Sequence, residues 1–317
     1  PLRLFDVSAI AAPQVAGEFR HLAGPVCGVF TDGSIAYVVD PPFFRTIDVS
    51  RTAEPREMAS IEIPGIQDSV RVKNGLAIIY GRSDVNLVDV SDPWNPRHLV
   101  TWDAEGHPRS SAALLRDTFV EANEHSGLHI VDYSNLAQPV QIAGRIFHYH
   151  DVAAGDDAVY AIQQSTFITL DLTDRTKAVD RQVLVPMHYL QIDTIPPNSA
   201  YPTHLVTTRN DGVDIWSLVP DRFNAHKIAF ADLPRPGVFG TSESAAFVAY
   251  DRTLLRVDTA GKMTSTGLRV TAPMQILAAG AKLVVADRYA LRVYGPDTAP
   301  PPPPPAVPPA GRGAGSR

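Results

Sequence analysis

The sequence predicts an all-β fold: a seven-bladed β-propeller of four-stranded antiparallel blades, its ring closed by the N-terminal segment joining the last blade. Three observations predict it. A five-residue phrase, apolar at its first and fourth positions and usually ending in Asp, recurs along nearly all of the 317 residues. Its spacing averages about 41 residues, the length of one four-stranded blade. No stretch of useful length carries the 3.6-residue apolar period of an amphipathic helix.

The phrase stands at Leu2 to Asp6, Phe44 to Asp48, Val85 to Asp89, Leu128 to Asp132, Phe167 to Asp171 and Leu254 to Asp258, with degenerate copies at Val213 to Ser217 and Leu291 to Gly295. Its apolar and β-branched composition reads as a short strand buried between neighbouring sheets. The Asp stops that strand, because its carboxylate accepts backbone N–H bonds two residues on, as expected at Asp89-Val90-Ser91 and Asp171-Leu172-Thr173. In four copies a proline follows the Asp by seven residues (Pro13, Pro55, Pro96 and Pro139). Proline cannot donate to a ladder, so the strand it opens belongs on the outer edge of the blade. Upstream of the phrase lies a second strand, as at Ile35 to Asp40, Leu76 to Gly81, Ala158 to Gln163, Ala245 to Tyr250 and Lys282 to Asp287. Before that comes an innermost strand, such as Gly28 to Thr31 or Ser69 to Val72. Inner strands precede seven of the eight markers. The first marker lacks inner strands and the last unit lacks an outer one, so Leu2 to Phe19 are expected to complete the final blade.

The phrases Gly127-Leu-His-Ile-Val-Asp132, Val85-Asn-Leu-Val-Asp-Val-Ser-Asp-Pro93 and Ile35-Ala-Tyr-Val-Val-Asp40 resemble the LVIVD-repeat β-propellers, a bacterial and archaeal family often found in exported or surface proteins. The resemblance covers residues 2 to 297 and weakens after Asp171, where Ser217 and Gly295 depart from the pattern and one unit carries an insertion around Pro196 to Pro202. It implies architecture and an extracytoplasmic location, periplasmic or secreted, with the cytoplasm left open; it carries over no catalytic residue.

The propeller is expected to span residues 1–297. Residues 298–317, rich in Pro, Gly and Ala, read as a disordered tail, because a proline run favours an extended polyproline helix that cannot join a core. The net charge of −6, without a basic stripe, argues against nucleic acid as a partner, and no apolar run is long enough to span a membrane. The single cysteine, Cys27, rules out an intrachain disulfide framework and reads as a packed residue.

Function in a propeller collects where inner strands and loops meet at one mouth of the channel. Aligning the inner strands on Val29, Val70, Val152 and Ile276 puts Cys27, Asp68, His150 and Met274 at equivalent places near the axis, with His188 at the same place in the next unit. Strand alternation gives His148 the same face as His150. His148, His150 and His188 are therefore candidate general acids or bases and candidate ligands of a divalent metal ion in the channel, while Gln67, Asp68, His107, Arg109 and Asp151 are candidate ligand-binding residues. Two functions fit. The favoured one is a non-enzymatic binding or scaffolding module that presents a loop-rich face and polar channel to a protein, peptide or glycan, or to a small molecule in the channel. The alternative is an enzyme, a hydrolase, lyase or isomerase using the channel histidines with or without a metal.

Overall fold

The computed structural model describes residues 3–6, 14–17, 19, 22–51, 53–65, 67–81, 84–103, 110–163, 166–184, 188–196, 199–242, 244–270, 273–279, 282–287 and 290–294. The residue 298–317 segment, read above as a tail, lies outside them, as do His107 and Arg109.

The chain opens with β1 (Arg3–Asp6) and β2 (Gln14–Gly17). Blade A is β3 (Gly28–Asp32), β4 (Ile35–Asp40), β5 (Phe43–Asp48) and β6 (Arg56–Glu62). Blade B is β7 (Gln67–Lys73), β8 (Leu76–Gly81), β9 (Asp84–Asp89) and β10 (Arg97–Asp103). Blade C is β11 (Ser110–Leu114), β12 (Thr118–Asn123), β13 (Gly127–Asp132) and β14 (Val140–Arg145). Blade D is β15 (Tyr149–Ala154), β16 (Ala158–Gln163), β17 (Thr166–Asp171) and β18 (Val179–Leu184). Blade E is β19 (Tyr189–Ile195), β20 (His204–Arg209), β21 (Gly212–Ser217) and β22 (His226–Asp232). Blade F is β23 (Phe239–Thr241), β24 (Ala245–Tyr250), β25 (Thr253–Asp258) and β26 (Met263–Arg269). The last strands are β27 (Pro273–Ala279), β28 (Lys282–Asp287) and β29 (Ala290–Tyr294). Among the described residues no helix is long and apolar enough to cross a membrane.

The expected seven blades of four antiparallel strands are corrected to six. The sheet that holds the chain ends is of another kind, five-stranded, in the order β2-β1-β29-β28-β27, with β1 running parallel to β29 in the register Arg3 to Arg292, Leu4 to Val293 and Phe5 to Tyr294. The reason lies in what the N-terminal segment brings. Completion of a three-stranded sheet needs one outer strand, whereas this segment supplies both a phrase strand, β1, and its proline-opened partner, β2. The phrase strand takes the place beside β29, and the edge passes to β2. The innermost strands adjoin in turn around the axis, from β3 through β7, β11, β15, β19 and β23 to β27, which lies against β3.

The phrase explains how the blades cohere. Positions one and four of a strand point to opposite faces. Phe44 packs in the apolar cluster between blades A and B, where Val88, the fourth residue of the next phrase, meets it. Val85 and Val131 share the cluster between B and C, Leu128 and Leu170 that between C and D, Phe167 and Trp216 that between D and E, and Val213 and Val257 that between E and F. Each first residue thus packs forward and each fourth residue backward. All ten are buried, and burial of an aliphatic or aromatic side chain of this size contributes roughly 1.5–3 kcal/mol. Trp216 also satisfies its indole N–H, which donates to Thr207 Oγ1 at 2.9 Å.

The closing Asp does what its position requires. The Asp48 carboxylate accepts from Ser50 N at 2.8 Å, Asp89 from Ser91 N at 3.0 Å, Asp132 from Ser134 N at 2.7 Å and Asp171 from Thr173 N at 2.8 Å. In the degenerate copy Ser217 Oγ accepts from Val219 N at 3.2 Å. Outer strands β6, β10 and β14 begin immediately after Pro55, Pro96 and Pro139. Inner strands approach closely at the axis. A Cβ on Gly28 would lie 2.6 Å from Ser69 Cα, so only glycine lets β3 come this near β7.

Deleting residues 1–17 removes the strand that pairs with β29 and leaves a bare sheet edge at the ring's closure. The truncated protein is expected to melt about 5 °C or more below the full chain and to aggregate on concentration, as read by differential scanning fluorimetry and light scattering. Equal melting and solubility would show that the ring holds without this pairing.

Candidate functional site

The axial wall is polar, and its groups link blades that are not neighbours. Asp151 in β15 accepts from Ser111 Oγ of blade C, from its neighbour Val152 N at 2.9 Å and from Ile192 N of blade E at 2.9 Å. One carboxylate therefore ties three successive blades. Asp193 in β19 accepts from Thr241 Oγ1 of blade F at 2.8 Å and from Thr194 N at 2.8 Å. Arg71 reaches in from blade B, its guanidinium donating to Val70 O at 3.1 Å and standing in the field of both carboxylates. Burial raises the pKa of Asp151, and the hydrogen bonds from Ser111 and Ile192, with the Arg71 charge, only partly offset it. Asp193 is raised for the same reason, with Arg71, Thr241 and Thr194 opposing. Both remain partly accessible where they face the channel, but they are deep enough for desolvation to dominate.

At one mouth of this channel a cavity of about 650 Å³ is lined by Glu124, His150, Asp151, His188, Tyr189, Leu190, Gln191 and Asn210. Glu124 comes from the β12–β13 turn of blade C, His150 and Asp151 from β15 of blade D, and the rest from blade E. His150 Nδ1 lies 3.1 Å from Glu124 Oε1, each side chain about one-third exposed. His148 Nδ1 meets the backbone carbonyl of Glu124. His188, just ahead of β19, holds a left-handed backbone with φ of 51°, which histidine tolerates better than most residues, and its side chain is exposed.

The structure brings His150, His188 and Asp151 to one cavity, and His148 is not among its described lining residues. Among the described residues no set of three His, Cys, Asp or Glu side chains is arranged to hold a metal ion. A register shift between Tyr149 and Asp151 puts a β-bulge at His150, and His148 and His150 both turn to Glu124, one to its backbone carbonyl and the other to its carboxylate. The same shift recurs between Gln67 and Ser69 and between Tyr189 and Gln191. It fixes the equivalences: Tyr149 pairs with Gln163 as Tyr189 pairs with Arg209, so the counterpart of His150 in blade E is Leu190, and His188 corresponds to His148. The expected equivalence of His188 and His150 was two residues out of register.

Asp68 occupies the bulge of β7 and is exposed, whereas Gln67 is buried and spends its amide nitrogen on Pro64 O, a structural contact. The Cys27 thiol is held above its usual pKa by burial first and then by the Asp68 and Asp40 carboxylates, which disfavours the nucleophilic thiolate. Sequence reasoning missed Glu124, Gln191, Asn210, Arg71 and Asp193. A signal existed for two of them. Glu124 and Asn210 both follow the last residue of a second strand, so the repeat places them in equivalent hairpins above the mouth.

The raised Asp193 pKa makes a signed prediction. Its folded value exceeds its unfolded one, so its contribution to stability is present below the unfolded value, about pH 4, and is lost as pH rises through the folded value. Asp193→Asn can keep both contacts, the amide oxygen accepting from Thr194 N and the amide nitrogen donating to Thr241 Oγ1. In urea titrations the variant is expected to gain on the wild type as pH rises from about 4 to about 7. Asp89 and Asp171, lowered by their hydroxyl and arginine partners despite some desolvation, act in the opposite sense but equally in both proteins. A constant difference across this range would refute the assignment.

Compared with protein-family models and with curated proteins, the chain matches none. The structure shows a propeller of four-stranded blades, an architecture compatible with a propeller-repeat family.

Proposed function

We propose that this protein is a binding propeller of the LVIVD-repeat kind, which receives a polar segment of a peptide or glycan at the channel mouth. The observation that supports this most is the makeup of the 650 Å³ cavity. Imidazoles, carboxylates and the amides of Gln191 and Asn210 offer donors and acceptors together, around one exposed aliphatic side chain, Leu190. A few convergent polar groups in a preformed concave site are what orient a ligand. Beside the site, the connection from β14 to β15 exposes Ile146 and Phe147 at 85% and 60%. Large apolar side chains held in solvent next to a polar cavity suit contact with a macromolecular ligand.

The test is a glycan array together with a displayed 12-residue peptide library, screened with the wild type and with a Gln191→Ala/Asn210→Ala variant. The wild type is expected to select ligands of one class, and the variant to bind them at least tenfold more weakly, equivalent to about 1.4 kcal/mol. Equal binding by both proteins, or none by the wild type, would remove this reading.

A further inference from the structure

The pairing of His150 with Glu124 goes beyond recognition. A carboxylate oxygen only accepts, so an imidazole nitrogen bonded to it carries the proton. His150 Nδ1–H therefore donates to Glu124 Oε1 at 3.1 Å, which leaves the Nε2 lone pair free. The pair is held from both sides. His148 donates to the Glu124 carbonyl and fixes the turn that carries the carboxylate. On the strand, Tyr149 is buried, and Asp151 is clamped by Ser111, Val152 N and Ile192 N, so the bulge that presents His150 is pinned at each neighbour. A second imidazole, His188, and two side-chain amides line the same cavity, and among its described lining residues there is no lysine or arginine.

We infer that His150 is a general base positioned by Glu124, and that the cavity hydrolyses small, uncharged carboxylic esters. This rests on the reading that the cavity admits a ligand. His150 Nε2 takes a proton from a water molecule as the water oxygen bonds to the acyl carbon. The carbonyl electron pair moves onto its oxygen, where the amides of Gln191 and Asn210 are available as donors. The carbon–oxygen bond to the leaving alkoxide then breaks, and the proton on His150 passes to that alkoxide. Carboxylic acid and alcohol are the products, and water is the only co-reactant. His188, which lines the same cavity, is the group assigned to hydrogen-bond the leaving oxygen. Glu124 is a positioning residue that fixes the tautomer and stabilises the imidazolium.

The test uses p-nitrophenyl acetate and p-nitrophenyl butyrate with the full chain. The wild type is expected to turn over at least one of them with saturation. His150→Gln should lower kcat by about 100-fold or more, the usual contribution of a positioned general base. Glu124→Gln keeps the shape of the side chain and gives a second arm. It should lower kcat by about tenfold with KM little changed and should move the acid limb of the pH–rate profile, which a purely structural role would not do. Equal rates in wild type and His150→Gln, or a rate linear in ester at all concentrations, overturn the inference. If ester turnover is absent while the Gln191→Ala/Asn210→Ala variant loses peptide or glycan binding, hydrolysis falls and the binding reading stands. Absence of both removes both.

Discussion

The structure depends on an odd number. The two apolar residues of each phrase are three positions apart, so on a strand of period two they face opposite ways, and each blade's third strand is divided between two cores. Phe44 and Val88 meet between blades A and B, and Phe167 and Trp216 between D and E. A single blade accordingly owns no core. Its sheet becomes stable only when both faces are covered, which makes the blades interdependent and leaves the two chain ends with unfinished faces until they meet. The five-stranded closing sheet is the response to that requirement.

The rest of the wall is fastened by charge and hydrogen bonding. At the end of the channel away from the cavity, Asp156 of blade D bonds Lys73 of blade B at 2.8 Å and Arg116 of blade C at 3.6 Å. Arg175 pairs with Asp117 between D and C, and Arg222 with Asp157 between E and D. Along the axis, Asp151 and Asp193 do similar work at a greater cost in desolvation. The apolar clusters hold neighbour to neighbour, whereas Asp151 and Asp156 each reach beyond an adjacent pair, joining blades C to E and B to D. Such fastening restrains the inner strands near the cavity, and a site assembled from blades C, D and E gains rigidity from it.

Much of the architecture was legible in the sequence because it follows from local rules. Second strands at Ile35–Asp40, Leu76–Gly81, Ala158–Gln163, Ala245–Tyr250 and Lys282–Asp287 run over the residues expected from the pattern. The Asx turns and proline-opened edge strands are equally local. The number of four-stranded blades was not legible, because a phrase announces a strand and says nothing of its partner. Parallel pairing of β1 with β29 is invisible in either segment alone. The site was legible in part. Aligning inner strands had placed His150 and Asp151, two residues of the cavity wall, near the axis, but a one-residue bulge changes no letter of the sequence, and without it the counterpart of His150 in blade E, Leu190, could not be told from His188. Arg71 and Asp193 were missed for a related reason: each stands in the other's field only across the ring, from blades far apart in the chain.

Ser217 carries a wider consequence. Its hydroxyl accepts from Val219 N as the carboxylates of Asp48, Asp89, Asp132 and Asp171 accept from residues two positions on. What the turn selects is an oxygen at a given height above the backbone, and several amino acids can provide one. The repeat can therefore drift in spelling while its grammar is preserved, and a unit that has lost its signature letter still bends at the same place. A pattern written in acceptors rather than residues would count the unit at Ser217 as whole.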